Sequence, residues 1–160
     1  MADAINAVAD EVNSILNERR QKEYFECIIL LHSLIENLLK WLVFVKTIWD
    51  KTERLAEIPD EEFNSIRKYC NDLRYYDAQQ VSLLVDVVGL KLYKRADKVR
   101  KGRNDMIHQL SMYTHRDGSE DLRKTLEELS LVANELVGIA NKLAEETGVD
   151  QIWEYSLSKE

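Results

Sequence analysis

Two side chains five positions apart suggest chemistry before anything else in the chain: the guanidinium of Arg103 and the imidazole of His108, with Asn104 and Asp105 between them. An imidazole gains and loses protons near neutral pH, while a guanidinium is a permanent planar cation whose donors fit carboxylate or phosphate oxygens. A dense run of base leads into the pair. From Lys91 to Arg103 there are seven bases (Lys91, Lys94, Arg95, Lys98, Arg100, Lys101 and Arg103) against the single acid Asp97, a local balance of +6 where the rest of the chain carries −13. Such segregation on an acidic chain points to one face kept for a polyanion, because phosphate contacts need clustered Lys and Arg rather than a high overall pI. Lys94, Arg95, Lys98, Arg100 and Lys101 are the candidate contacts. The plainer reading of a charge run is a solvated helix face.

The same segment has an apolar seam at Leu92, Ala96, Val99, Arg103, Met106, Leu110 and Tyr113, spaced alternately four and three, so the arginine takes a core position. A guanidinium without partners is costly to bury, and Arg103 is expected to meet a carboxylate, a ligand phosphate or a second subunit. At about 100° per residue, His108 falls about 40° from Asn104 and about 20° from Lys101, and these three form a stripe beside the arginine. An internal carboxylate is available on an earlier helix. There Phe25, Ile29, His32, Glu36, Leu39 and Val43 repeat the four-and-three spacing with a polar middle. Glu36, one turn from His32, is the expected partner that neutralises and orients Arg103.

These residues need helices to position them. Ile5, Val8, Val12, Ile15 and Leu16 mark a first amphipathic helix over residues 2 to 18, and a second, apolar nearly all round, runs from about Tyr24 into the low fifties. Pro59 and Asp60 followed by Glu61 and Glu62 open a short third helix that ends near Cys70. Asn71 to Tyr76 reads as a connection. Asp77 with Gln80 resembles a capping box for a fourth helix through Leu84 and Val88, with Gly89 as its bend or end. Lys91 to about Tyr113 is helical again, Arg116-Asp117-Gly118-Ser119 is a turn, and a last helix starts at Ser119. Its seam of Leu122, Leu126, Leu129, Ala133, Leu136, Ala140 and Leu143 faces partner helices, and Gly148 stops it. The expected architecture is an all-α bundle of about five helices, with one domain over 1–148 and a C-terminal tail over 149–160.

Composition agrees with that outline. Of 160 residues, 45% are apolar and 32% charged, with one proline and five glycines, which disfavours disorder and an all-β sandwich. The net charge of −7 argues against a surface coated with nucleic-acid-binding charge and leaves room for a local patch. Cys27 and Cys70 form no CxxC pair, so reduced thiols are expected rather than a zinc knuckle or disulfide framework. The N-terminus has acids early and arginines late, the reverse of a secretion signal. Residues 27 to 49 are long enough to span a bilayer, but His32, Glu36, Lys40 and Lys46 interrupt them, and a buried core helix is the expectation. A cytoplasmic protein with no membrane contact follows.

The run Arg103-Asn104-Asp105-Met106-Ile107-His108 resembles the signature of the HEPN family: an arginine, four to six intervening residues and a histidine, with a polar residue after the arginine. An early helix with a glutamate within LHSLIENLLKWL, and the motif on a late helix, fit the same pattern, and the resemblance covers most of residues 20 to 147. It implies a HEPN-like bundle that cleaves RNA without metal or cofactor, as a homodimer whose two motifs make one composite site. His108 would be the general acid or base and Arg103 the stabiliser of phosphoryl charge, with Asn104 orienting phosphate or imidazole and His32, Glu36 and Asp105 in support. It also implies a toxin or phage-defence ribonuclease held in check by an antitoxin or other regulatory protein. Toxin members paired with a nucleotidyltransferase antitoxin often have a tyrosine two residues after the histidine. Leu110 stands there, which puts control by tyrosine modification in doubt.

Three other readings stay open. One is a catalytically silent bundle of the same kind that binds RNA, a nucleotide or a protein. A second is a metal site built from His32 with Glu36 and Asp105 with His108, against which stands the absence of any Glu-x-x-His. A third is a helical adaptor using Trp41, Trp49 and the tail aromatics, side chains that at helical spacing are more often core.

Overall fold

The computed structural model describes residues 10–15, 18, 23–53, 57–108 and 119–148, with His108 and Ser119 described by their helical backbone alone. Every regular element among them is helical: α1 (residues 10–15), α2 (Tyr24–Thr52), α3 (Asp60–Asp72), α4 (Tyr75–Leu84), α5 (Leu90–His108) and α6 (Ser119–Thr147). The all-α bundle expected from the sequence is what forms. The 116–118 part of the turn, Leu110, Tyr113, His115 and the 149–160 tail lie outside the described residues.

Apolar content all round α2 has a direct outcome. Ile28, Ile35, Leu38, Leu39, Leu42 and Val45 are all essentially without solvent contact. An 18-residue window of this helix has mean hydropathy 1.8, so by length and composition it is able to cross a membrane, yet 61% of that window is buried inside the protein. The α6 seam closes from Leu126 onward as its spacing predicts, with Leu126, Leu129 and Leu136 fully buried, while Leu122 at its start stays half-buried. Gly148 at φ 65 ends α6 and donates its N–H to the Ala144 carbonyl at 2.8 Å, a left-handed stop that glycine takes without strain.

The chain divides into two compact units, each discontinuous in sequence because α2, α5 and α6 pass through both. The first comprises the described residues within Met1–Ile35 and Lys94–Asn134. Its buried side chains include Val12 and Ile15 of α1, Ile28, Leu31 and Ile35 of α2, Ala96, Val99 and Met106 of α5, and Leu126, Leu129 and Val132 of α6. The second comprises those within Glu36–Tyr93 and Glu135–Glu160. There Phe44 meets Phe63 edge-on at 5.6 Å, Lys51 pairs with Glu62, and the wholly buried Gln79 donates through Nε2 to the Tyr93 carbonyl at 2.8 Å.

Two local boundaries differ from the sequence reading, both in the second unit. The connection expected over Asn71 to Tyr76 shrinks to Leu73 and Arg74, and α4 starts at Tyr75, so Asp77 sits in the first turn instead of capping it. Arg74 at the N-cap position makes no side-chain cap bond. Burial decides this start: Leu73, Tyr75, Ala78 and Gln79 are all inside, and their packing outweighs a weak local cap signal. The stop of α4 also moves, from Gly89 to Leu84. Asp86 takes φ 55 and donates its N–H to Leu83 O, while Val87 N–H reaches Ser82 O, both at 3.1 Å, which is a Schellman stop built on an aspartate. Gly89 stands just before the next helix, its carbonyl accepting from the Tyr93 N–H at 3.0 Å.

Candidate functional site

Helix α5 carries the candidate site, and its inward face is set by Leu92, Ala96, Val99 and Met106, each at most 5% exposed. Arg103 falls on that same seam but stays half-buried. Its Nη1 donates to Asn104 Oδ1 at 3.1 Å, its Nε is buried without a hydrogen-bond partner, and it forms no ion pair among the described residues. The result is a guanidinium with spare directional donors at the edge of an apolar face.

Arg103 and His108 are five positions apart, which on one continuous helix is about 140° of rotation and about 7.5 Å of rise. Backbone geometry therefore sets the two Cβ directions apart, and Asn104, one turn before His108, stands between them. The arginine side chain bends toward Asn104, the side of the helix on which His108 is placed. Asp105 is exposed. His108 is the last described residue of α5.

The two α2 residues expected to support the site lie one turn apart on that helix. His32 is buried at 8% exposure in the first unit, the unit of Arg103 and Asn104. Glu36 belongs to the second unit, where its carboxylate takes Lys40 of its own helix at 2.8 Å.

Of the seven bases, Lys91 and Lys94 are exposed and unpaired among the described residues, and Arg95 is half-buried with a partner. The next three are paired. Lys98 reaches Glu128 of α6 at 3.0 Å, and Arg100 and Lys101 both reach Asp97, at 2.8 and 2.7 Å. Asp97 is a residue whose part the sequence reading missed, although the stripe of Lys101, Asn104 and His108 extends back to it at helical spacing. Nothing in the sequence marks Glu128, because its pairing comes from the packing of α6 beside α5.

Other polar groups are more ordinary. Cys27 and Cys70 are buried thiols that form no disulfide, and burial pushes Cys70 up to about 11. Among the described residues no three of His, Cys, Asp and Glu come together as a metal cage. No protein-family model, no curated protein and no solved structure matches the chain.

Proposed function

We propose that this chain is a metal-independent endoribonuclease of HEPN type, working in the cytoplasm as a homodimer with a composite site. The observation that carries the reading is Arg103: a half-buried cation on an apolar seam, bent toward Asn104, with a buried Nε left unpartnered. An aliphatic side chain at that place would bury more apolar surface and orphan no donor, so a phosphate is the natural counter-ion for it.

RNA carries its own nucleophile. His108 as base takes the proton of a ribose 2′-hydroxyl, whose oxygen then bonds to the adjacent phosphorus, and the bond from phosphorus to the 5′-oxygen breaks. An acid returns a proton to that leaving oxygen. The products are a 2′,3′-cyclic phosphate and a 5′-hydroxyl, with no redox change and no water consumed. Arg103 holds the charge that grows on the phosphoryl oxygens. One imidazole cannot be base and acid at the same moment, so a two-fold dimer supplies His108 twice. An effector of this kind, a toxin or phage-defence ribonuclease, needs a regulatory partner such as an antitoxin to restrain it.

The second reading is a catalytically silent bundle that binds RNA, a nucleotide or a protein. One observation favours it: Lys98, Arg100 and Lys101 already have carboxylate partners, which lowers the free charge on α5. The deciding experiment is cleavage of a labelled mixed-sequence RNA in EDTA, beside H108A and a matched DNA. Cutting of RNA alone, lost in H108A, supports the ribonuclease. A folded dimer that binds RNA and never cuts it moves the assignment to the silent bundle, and cleavage of DNA or a need for metal overturns the mechanism.

A further inference from the structure

Asp97, the lone acid of the basic run, has both carboxylate oxygens engaged. Oδ1 accepts from Arg100 Nε at 3.2 Å and Nη2 at 2.8 Å, and Oδ2 takes the Lys101 ammonium at 2.7 Å. The Lys101 hydrogen bond, with that of Arg100 and the attraction of both cations, holds this carboxyl below its ordinary value despite some desolvation. A fork and a point charge closing on two oxygens of one anion is also how Arg and Lys grip a phosphate. The place on the helix matters as much. Asp97, Lys101, Asn104 and His108 follow one another at intervals of four, three and four, which keeps all of them on one stripe of α5. Beside them Lys98 is held by Glu128 of α6, and all of these residues belong to the first unit.

We infer that Asp97 is an internal stand-in for an RNA phosphate: it occupies Arg100 and Lys101 until a strand displaces it, and with Glu128 on Lys98 it sets the affinity and salt threshold of RNA capture on α5. This rests on the RNA reading above and adds a control to the same site. When a phosphate takes over the two cations, one anion replaces another, and the released carboxylate stays on the helix to repel the strand. Binding is therefore weaker, and its salt dependence shallower, than the count of bases predicts. A strand that brings several phosphates at once, and so also reaches Lys94, which is exposed and unpaired among the described residues, is favoured over a single phosphate group.

The test uses the full chain and a labelled single-stranded 2′-O-methyl RNA, which lacks the nucleophile and cannot be cut. Affinity is measured against salt for the native chain, D97N, D97E and E128Q, with helical circular dichroism as the folding control. D97N is expected to tighten binding about 3- to 10-fold near 0.1 M salt and to steepen the logarithmic salt slope by about 0.7 for each cation released. D97E keeps the charge and stays near the native value. E128Q moves in the same direction by less, because its Lys98 pair is the more exposed. A folded D97N with unchanged or weaker binding and an unchanged slope overturns the role of Asp97, and leaves the RNA reading standing if the native chain binds and cuts RNA. A native chain that binds no RNA sinks both. If D97N does not fold, E128Q decides alone, and a flat response from it overturns the proposal.

Discussion

Helices α5 and α6 carry the same four-and-three spacing of inward positions, and they end in different states. Along α6 the seam from Leu126 to Leu143 is buried at every step, at 0 to 8% exposure. Along α5 the seam is as tight at Leu92, Ala96, Val99 and Met106, but it opens at Arg103, where a guanidinium stands half-buried with an orphaned Nε. Periodicity is the same in both, so it does not separate a helix that only packs from one that carries the candidate site. The separation comes from a residue whose presence makes the packing worse. Local departures from good packing are where function is to be sought, since stability alone gives no reason to keep them.

The contrast is strongest in what removing the chemistry does. H108A should lower RNA cleavage about 10²- to 10⁴-fold, the usual range for one general acid or base, with no change in the thermal midpoint. Undiminished cleavage by a folded H108A takes His108 out of the mechanism. R103M comes next: cleavage should fall about 10²- to 10³-fold, as for loss of a charge-stabilising donor, while stability holds or rises by about 1 kcal/mol as the orphaned donor is removed from the seam. A clear loss of stability in urea would mean that the guanidinium supports the fold, and the contrast with α6 would collapse. On α6 itself, L129A removes a fully buried side chain and should cost about 2–5 kcal/mol, whereas L131A, at 57% exposure, should stay within about 0.5 kcal/mol. Equal losses at the two leucines would refute the assigned facing of the helix.

A pH-dependent effect concerns a titratable group that the second unit does bury. The Cys70 thiol is raised from 9.0 to about 11. A raised folded value favours the neutral form, so its stability contribution is complete below pH 9 and is lost as pH climbs from 9 through 11. The change amounts to about 2–3 kcal/mol. The gap in unfolding free energy between the native chain and C70A should narrow across that window, and parallel curves would show that the thiol is not shielded.

Much of this was legible along the chain. The spacing of α6, the all-round apolar α2, the Pro59 start of α3 and the Gly148 stop are local signals, and each is where the sequence reading places it. The boundaries of α4 were not legible. Its start follows the burial of Leu73 and Tyr75, and its stop uses Asp86 in a left-handed conformation that sequence statistics assign first to glycine. In the candidate site the seam position of Arg103 was readable, as was its proximity to Asn104. The absence of a carboxylate partner for it among the described residues was not. Glu36, the partner expected from its one-turn distance to His32, has Lys40 one turn away on its own helix, and a pair that close forms with little added ordering of the backbone.

What the sequence by itself determined is the helical architecture, its seams and the clustering of base before His108, because periodicity and charge order are properties of neighbours along one chain. Arg100 and Lys101 pair with Asp97 one turn away on their own helix, but the states of Lys98 and Arg103 were decided only by tertiary structure. Lys98 is neutralised by Glu128, 30 residues on, and Arg103 is left with a buried, unmatched donor. Both outcomes depend on which helices come to lie side by side, and Coulomb pairing and desolvation act over a few ångströms of space whatever the separation in sequence.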